Sequence, residues 1–154
     1  WVDFVRLWPA LGFAGSKLAS WAERGQWEPM DVGVSVNILG QMVDIIEAQG
    51  IAIARIGMQP GQDIPVRAVA GPVHPNMRGE VESQRYAGRL DSLLDSVKEG
   101  ARVVVLVNPK DLHLAKGVSN INARSVKARH RLASVHFETD PDVCRGTLAG
   151  ARIE

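Results

Sequence analysis

Between residues 51 and 75 the chain passes abruptly from an apolar run, IAIARIGM (51–58), into a stretch holding Pro60, Gly61, Pro65, Gly71, Pro72 and Pro75. Isoleucine at alternate positions with a single charge is the pattern of a strand buried on both faces, as in a parallel sheet. The prolines and glycines that follow exclude a regular element over 59–75. That segment must cross a surface or line a cleft. Any fold for this chain therefore has a buried strand that opens into a long connecting loop.

Upstream, VDFVRLW (2–8) is rich in Val and aromatics and stops at Pro9, which predicts a short strand and a turn. Ser16 caps a predicted helix, KLASWAERG, that Gly25 ends. Asp31 opens the next helix, which runs to Gly50 with Val34, Ile38, Val43 (or Met42), Ile45 and Ile46 at helical spacing. Strand, helices and strand in that order predict a parallel crossover. Two strands cannot bury both helices, so residues 1–58 read as the last third of a barrel.

Downstream, Asn76 caps a long amphipathic helix expected over 77–99, with Gly100 after it. A second buried strand, RVVVLVN (102–108), stops at Pro109. A short helix over 111–116, a break at Gly117–Asn120, a basic helix to His130 and an alternating strand at 133–139 follow, with a last strand at 147–153. Strand, helix, GVSN, helix, strand is the order of the minimal KH module, whose GxxG loop brings backbone close to phosphates. Asn at the fourth position suits the left-handed conformation that Gly usually supplies. The fold class expected is α/β: a remnant of a parallel-stranded partial barrel over 1–75, then a small KH-like α/β lobe over 76–154.

Composition narrows the class of protein. The 154 residues are 45% hydrophobic and 23% charged, ordinary for a domain with a core. The net charge of +1 hides an asymmetry. Lys110, Lys116, Arg124, Lys127, Arg129 and Arg131 face only Asp111 within 110–136. Such a block is a solvated helix face or a phosphate-binding surface. Cys144 is the only cysteine, which excludes an internal disulfide. No apolar run approaches the roughly 20 residues of a membrane helix, and no signal peptide is seen, so a cytoplasmic protein is expected. A start at Trp1 fits a fragment or a processed chain. The four histidines lack zinc-ligand spacing, so no metal site is expected.

Several of these pieces, taken together, carry a resemblance. VRLWPAL, GSKLASWAERGQWEPM, GIAIARIGMQP and AGPVHPNMRGEVESQRY occur in that order over about residues 2–90. In that order they resemble the region after the cluster-binding loop in radical S-adenosylmethionine (SAM) proteins related to the elongator catalytic subunit. The residues that match include Arg6, Pro9, Ser16, Arg55, Gly57, Gln59, Gly71, Pro72, His74, Pro75, Arg78 and Glu82. The resemblance implies SAM and a [4Fe–4S] cluster in the full-length parent, bound through a cysteine loop that this chain lacks. It implies an accessory C-terminal region that closes the barrel, is not catalytic by itself, and has the rest of the barrel as partner. RNA, tRNA in particular, is the further partner it suggests. The alternative is a stand-alone RNA-binding or structural module without enzymatic activity. Trp8, Trp21 and Trp27 are expected on a surface covered in the parent, with self-association as the consequence here.

Site residues follow from these positions. Ligands collect at the carboxyl ends of parallel strands, which makes Arg55 and Gln59 candidates for cofactor contact in the parent. For Arg55, ligand contact stands beside a structural pairing with Glu47, Asp63 or Glu82. His74, Arg78 and Glu82 come from the Pro-bracketed loop and the helix after it. They read as a structural cap and an i, i+4 pair, or, for His74, as a general acid or base. Lys116, Gly117, Asn120, Arg124 and Lys127 are the candidate RNA contacts.

Overall fold

The computed structural model describes residues 2–58 and 67–153. They form two compact units, Trp1–Val81 and Glu82–Glu154.

In the first unit, β1 (Phe4–Leu7) precedes a two-residue strand, β2 (Gly12–Phe13), and then α1 (Lys17–Glu23) and α2 (Val32–Ala48). The predicted caps are in place. Ser16 Oγ accepts the Ala19 N–H at 3.1 Å, and Asp31 Oδ1 accepts the Val34 N–H at 2.7 Å. Each satisfies one orphan donor of a first helical turn. Strand β3 (Ala52–Ile56) then pairs with β1 in parallel, the crossover expected.

Three features of this unit differ from the sequence reading. The connecting segment is not wholly irregular, because β4 (Ala68–Ala70) fits between its prolines and pairs antiparallel with β2. Strand β3 is not buried on both faces: Ala52, Ala54 and Arg55 are exposed, and only its α2 side is covered. The stripe of α2 that enters the core is Val36, Leu39 and Val43, joined by Ser35 and Gly40, while Val34, Ile38, Met42 and Ile45 are exposed. Apart from a polar edge of Asn37, Gln41, Asp44 and Glu47, the apolar residues cover more of the helix than one stripe, so periodicity does not reveal which part of them is buried. The core of the unit is Leu7, Val36, Leu39, Val43, Ile56, Met77 and Val81.

Helix α3 (Met77–Leu94) gives Met77 and Val81 to that core and Tyr86, Leu90 and Leu94 to the cores of the second unit. It ends one turn before the expected stop. Asn76 caps it, with Oδ1 accepting the Gly79 N–H at 3.1 Å. The second unit is built on β5 (Arg102–Val107), where Val103, Val104, Val105 and Val107 are all buried. A 3₁₀ turn (Pro109–Asp111), α4 (Leu112–Lys116), a second 3₁₀ turn (Val118–Asn120) and α5 (Ile121–Arg129) lead to β6 (Ser134–Thr139). β6 lies parallel to β5. β7 (Leu148–Ile153) lies antiparallel on its other edge, so β5 is the central strand of three. The strand–helix–loop–helix–strand order is as expected, and the whole is α/β. Among the described residues no helix is long and apolar enough to cross a membrane.

Candidate ligand cleft and nucleic-acid interface

In the first unit a shallow cleft lies at the carboxyl ends of the parallel pair. Pro9 and Leu11 line it beyond β1, Gly57 and Met58 beyond β3, and Pro72, His74 and Met77 from the loop and the start of α3. Gly57 makes the approach possible. Its φ is +72°, and a Cβ there would sit 2.6 Å from that of Met77. Only glycine lets β3 turn away while α3 packs this closely.

His74 accepts the Asn76 N–H on Nδ1 at 3.2 Å, and its Nε2 lies 3.9 Å from Glu80 Oε1. An imidazole that accepts on Nδ1 carries its proton on Nε2, which here faces the carboxylate. That arrangement ties the loop to the first turn of α3. Arg78 donates to the Ile53 carbonyl at 3.3 Å and so fastens α3 to β3. The expected Arg78–Glu82 pairing is replaced. Glu82 takes Arg85 instead, at 2.9 Å, because that guanidinium is almost wholly buried and needs the carboxylate more than exposed Arg78 does.

Arg55, expected to be buried, is exposed on the face of β3 away from α2. Of the three carboxylates proposed for it, Glu82 pairs with Arg85 instead, and Asp63, like Gln59, lies outside the described residues.

In the second unit, Gly117 (φ +71°) closes α4, and Ser119 and Asn120 both take left-handed backbone, at φ of 51° and 58°. The Asn at the fourth loop position therefore adopts the conformation that its chemistry favours. A Cβ on Gly117 would lie 2.8 Å from Ile121 Cγ2, so the chain reverses there only without a side chain. Asn122, buried, holds the turn by donating from Nδ2 to the Ser83 and Leu114 carbonyls at 2.9 and 3.2 Å. Around this loop Arg124 and Lys127 are exposed and Lys116 is half-buried. Not all of the basic block is available. Arg129 and His130 both engage Asp91, and Arg131 pairs with Glu99 at 3.0 Å. Within this basic block, the cations left without an ion pair among the described residues are those that flank the GVSN loop, together with Lys110.

Sequence reasoning missed a buried polar knot. Asp111, 1% exposed, accepts from the Tyr86 hydroxyl at 2.9 Å, from Arg145 Nε at 2.6 Å and from the Gly146 N–H at 2.9 Å. Burial opposes ionisation of Asp111, but the Gly146 N–H, the Tyr86 hydroxyl and Arg145 outweigh it and hold the carboxyl below its ordinary range. The same burial, with the carboxylate as acceptor, pushes the Tyr86 phenol well above its ordinary value. The partners are 25 to 35 residues apart, and no local pattern marks them.

A parallel strand pair with a helical crossover and a cleft at its carboxyl end is an α/β arrangement, a class in which ligand sites collect at strand termini. The family model of the radical SAM C-terminal domain matches residues 2–87, and the chain belongs to that family. No curated protein and no solved structure matches it. Membership makes the chain an accessory region of a radical SAM protein and implies SAM and a [4Fe–4S] cluster for the protein it serves. This chain's own residues do not fit the cluster, which needs at least three thiolates besides SAM. Cys144 is the only thiol.

Proposed function

We propose that the chain closes the barrel of an elongator-like radical SAM protein and offers a phosphate-binding surface to an RNA substrate. The observation that carries the first part is the uncovered stripe Val34, Ile38, Met42 and Ile45 on α2. It runs along the crossover helix of a parallel pair, where the next helix of a barrel packs. In this reading the open face of β1 and β3 turns towards the reaction cavity, with Arg55 and Gln59 near the cofactor. His74 and Arg78 set the rim loop, in positioning rather than chemical roles, while Glu82 serves Arg85. The chain performs no step itself and works in the cytoplasm with the cluster-bearing core.

The left-handed GVSN loop, with Lys116, Arg124 and Lys127 around it, supports RNA contact. Backbone contacts release counterions, so affinity for a structured RNA such as tRNA should fall steeply between low and moderate salt. Changing Lys116, Arg124 and Lys127 together to Glu should abolish binding. Equal binding by both proteins, or none at low salt, would leave a barrel-closing element without an RNA role.

A further inference from the structure

We propose that Arg6 and Arg55 together form a site for a dianionic phosphate group on the open face of the β1–β3 sheet. The inference rests on the reading of that face as cavity lining and adds a ligand class to it.

The register carries it. Phe4 pairs with Ala52 and Val5 with Ile53, but the register then shifts, so that Arg6 stands beside Arg55 and Leu7 beside Ile56. Without the shift Arg6 would stand beside Ala54, and Arg55 would stand beside Leu7 on the buried side. In a parallel pair, neighbours in register project to the same face, and a bulge re-aims the side chain that follows it. Burial agrees: Leu7 and Ile56 are in the core, whereas Arg6 and Arg55 are exposed. The irregularity thus sets two guanidiniums on adjacent strands, whose spacing is about 4.8 Å.

Like charges directly opposite each other cost stability, so such a pair calls for a counter-charge. Among the described residues no ion pair reaches either side chain. The flanking residues on the same face, Phe4 and Ala52, bring no acid. Two planar forks side by side suit a tetrahedral oxyanion that accepts from both, and two positive charges are matched by two negative ones. A phosphate monoester meets both conditions, whereas a single carboxylate neutralises only one guanidinium.

Inorganic phosphate is the probe. The full chain is titrated with it while the arginine Nε–H resonances are followed by NMR, with sodium acetate and sodium chloride as parallel arms at matched ionic strength. Arg6→Gln and Arg55→Gln assign the two signals, and Lys127→Gln controls for the basic helix. The expected result is saturable 1:1 binding of phosphate that shifts both resonances, at least tenfold weaker in each arginine variant and unchanged in Lys127→Gln. Acetate should bind at least tenfold more weakly than phosphate. Absence of saturation, equal binding of acetate, or phosphate binding that survives both arginine variants would overturn the site. Association with a radical SAM core tests the barrel reading separately and does not depend on this titration.

Discussion

The two units of this chain use their apolar residues in opposite ways. Of the large hydrophobic side chains left exposed among the described residues, Val118 and Ile121 belong to the second unit. All the others, from Val2 to Val69, belong to the first. The second unit surrounds β5 on both sides and adds a satisfied polar knot at Asp111. The first unit covers one face of a two-stranded sheet and one stripe of α2, and leaves the other face and the other stripe open. Burial of about 25 cal/mol per Å² of apolar surface is forgone at each exposed side chain.

The sharpest way to break that contrast is to open a cavity in the finished unit. Leu90 is fully buried among Leu94, Val103, Val105 and Val126. Leu90→Ala should destabilise the second unit by about 2–5 kcal/mol, read as a lower denaturant midpoint. A loss below about 0.5 kcal/mol would mean that this core is no better packed than the first.

Next is the polar knot. Asp111→Ala leaves the Tyr86 hydroxyl and the Gly146 N–H without their acceptor and should cost about 2–3 kcal/mol. The pH dependence has two limbs. The carboxyl of Asp111 is held low in the folded state, so its contribution is present above the unfolded value near 4 and is lost as pH falls below it. The phenol of Tyr86 is held high, so its contribution is complete below about pH 10 and fades as pH rises beyond that. Tyr86→Phe should cost about 1 kcal/mol and flatten the alkaline limb of a plot of Tm against pH. An unchanged alkaline limb would show that the phenol is not held above its ordinary value in the folded protein.

The smallest effect on stability is expected where the first unit is open. Ile38→Ser and Ile45→Ser change exposed side chains and should shift its stability by less than about 0.5 kcal/mol. They should nevertheless reduce self-association in sedimentation runs. A large loss of stability would show that this stripe already has a partner within the chain.

Local signals made much of this fold legible in the sequence. The caps at Ser16, Asp31 and Asn76, the buried valines of β5 and the left-handed Asn120 depend on residues within a few positions of one another, and the parallel crossover follows from the order of the elements. What was not legible depends on distant partners. The buried stripe of α2 is chosen by what lies against it, since the apolar residues cover more of the helix than one stripe. Strands as short as β2 and β4 have no periodicity to read. The exposure of Arg55 follows from a register shift that only the β1 pairing reveals. The knot at Asp111 joins α3 to the turns after β5 and β6, and its residues taken singly look like any Tyr, Asp and Arg.

The central claim, that the first unit is completed by the rest of a radical SAM protein along α2, is tested most directly by complex formation. The cluster-bearing core of such a protein, expressed without its own C-terminal region, is titrated with this chain by calorimetry, and hydrogen exchange is followed along α2. A 1:1 complex is expected, with protection centred on 34–45, and at least tenfold weaker binding by the Ile38→Ser/Ile45→Ser double variant. A complex that the double variant forms equally well, or no complex at all, would contradict it.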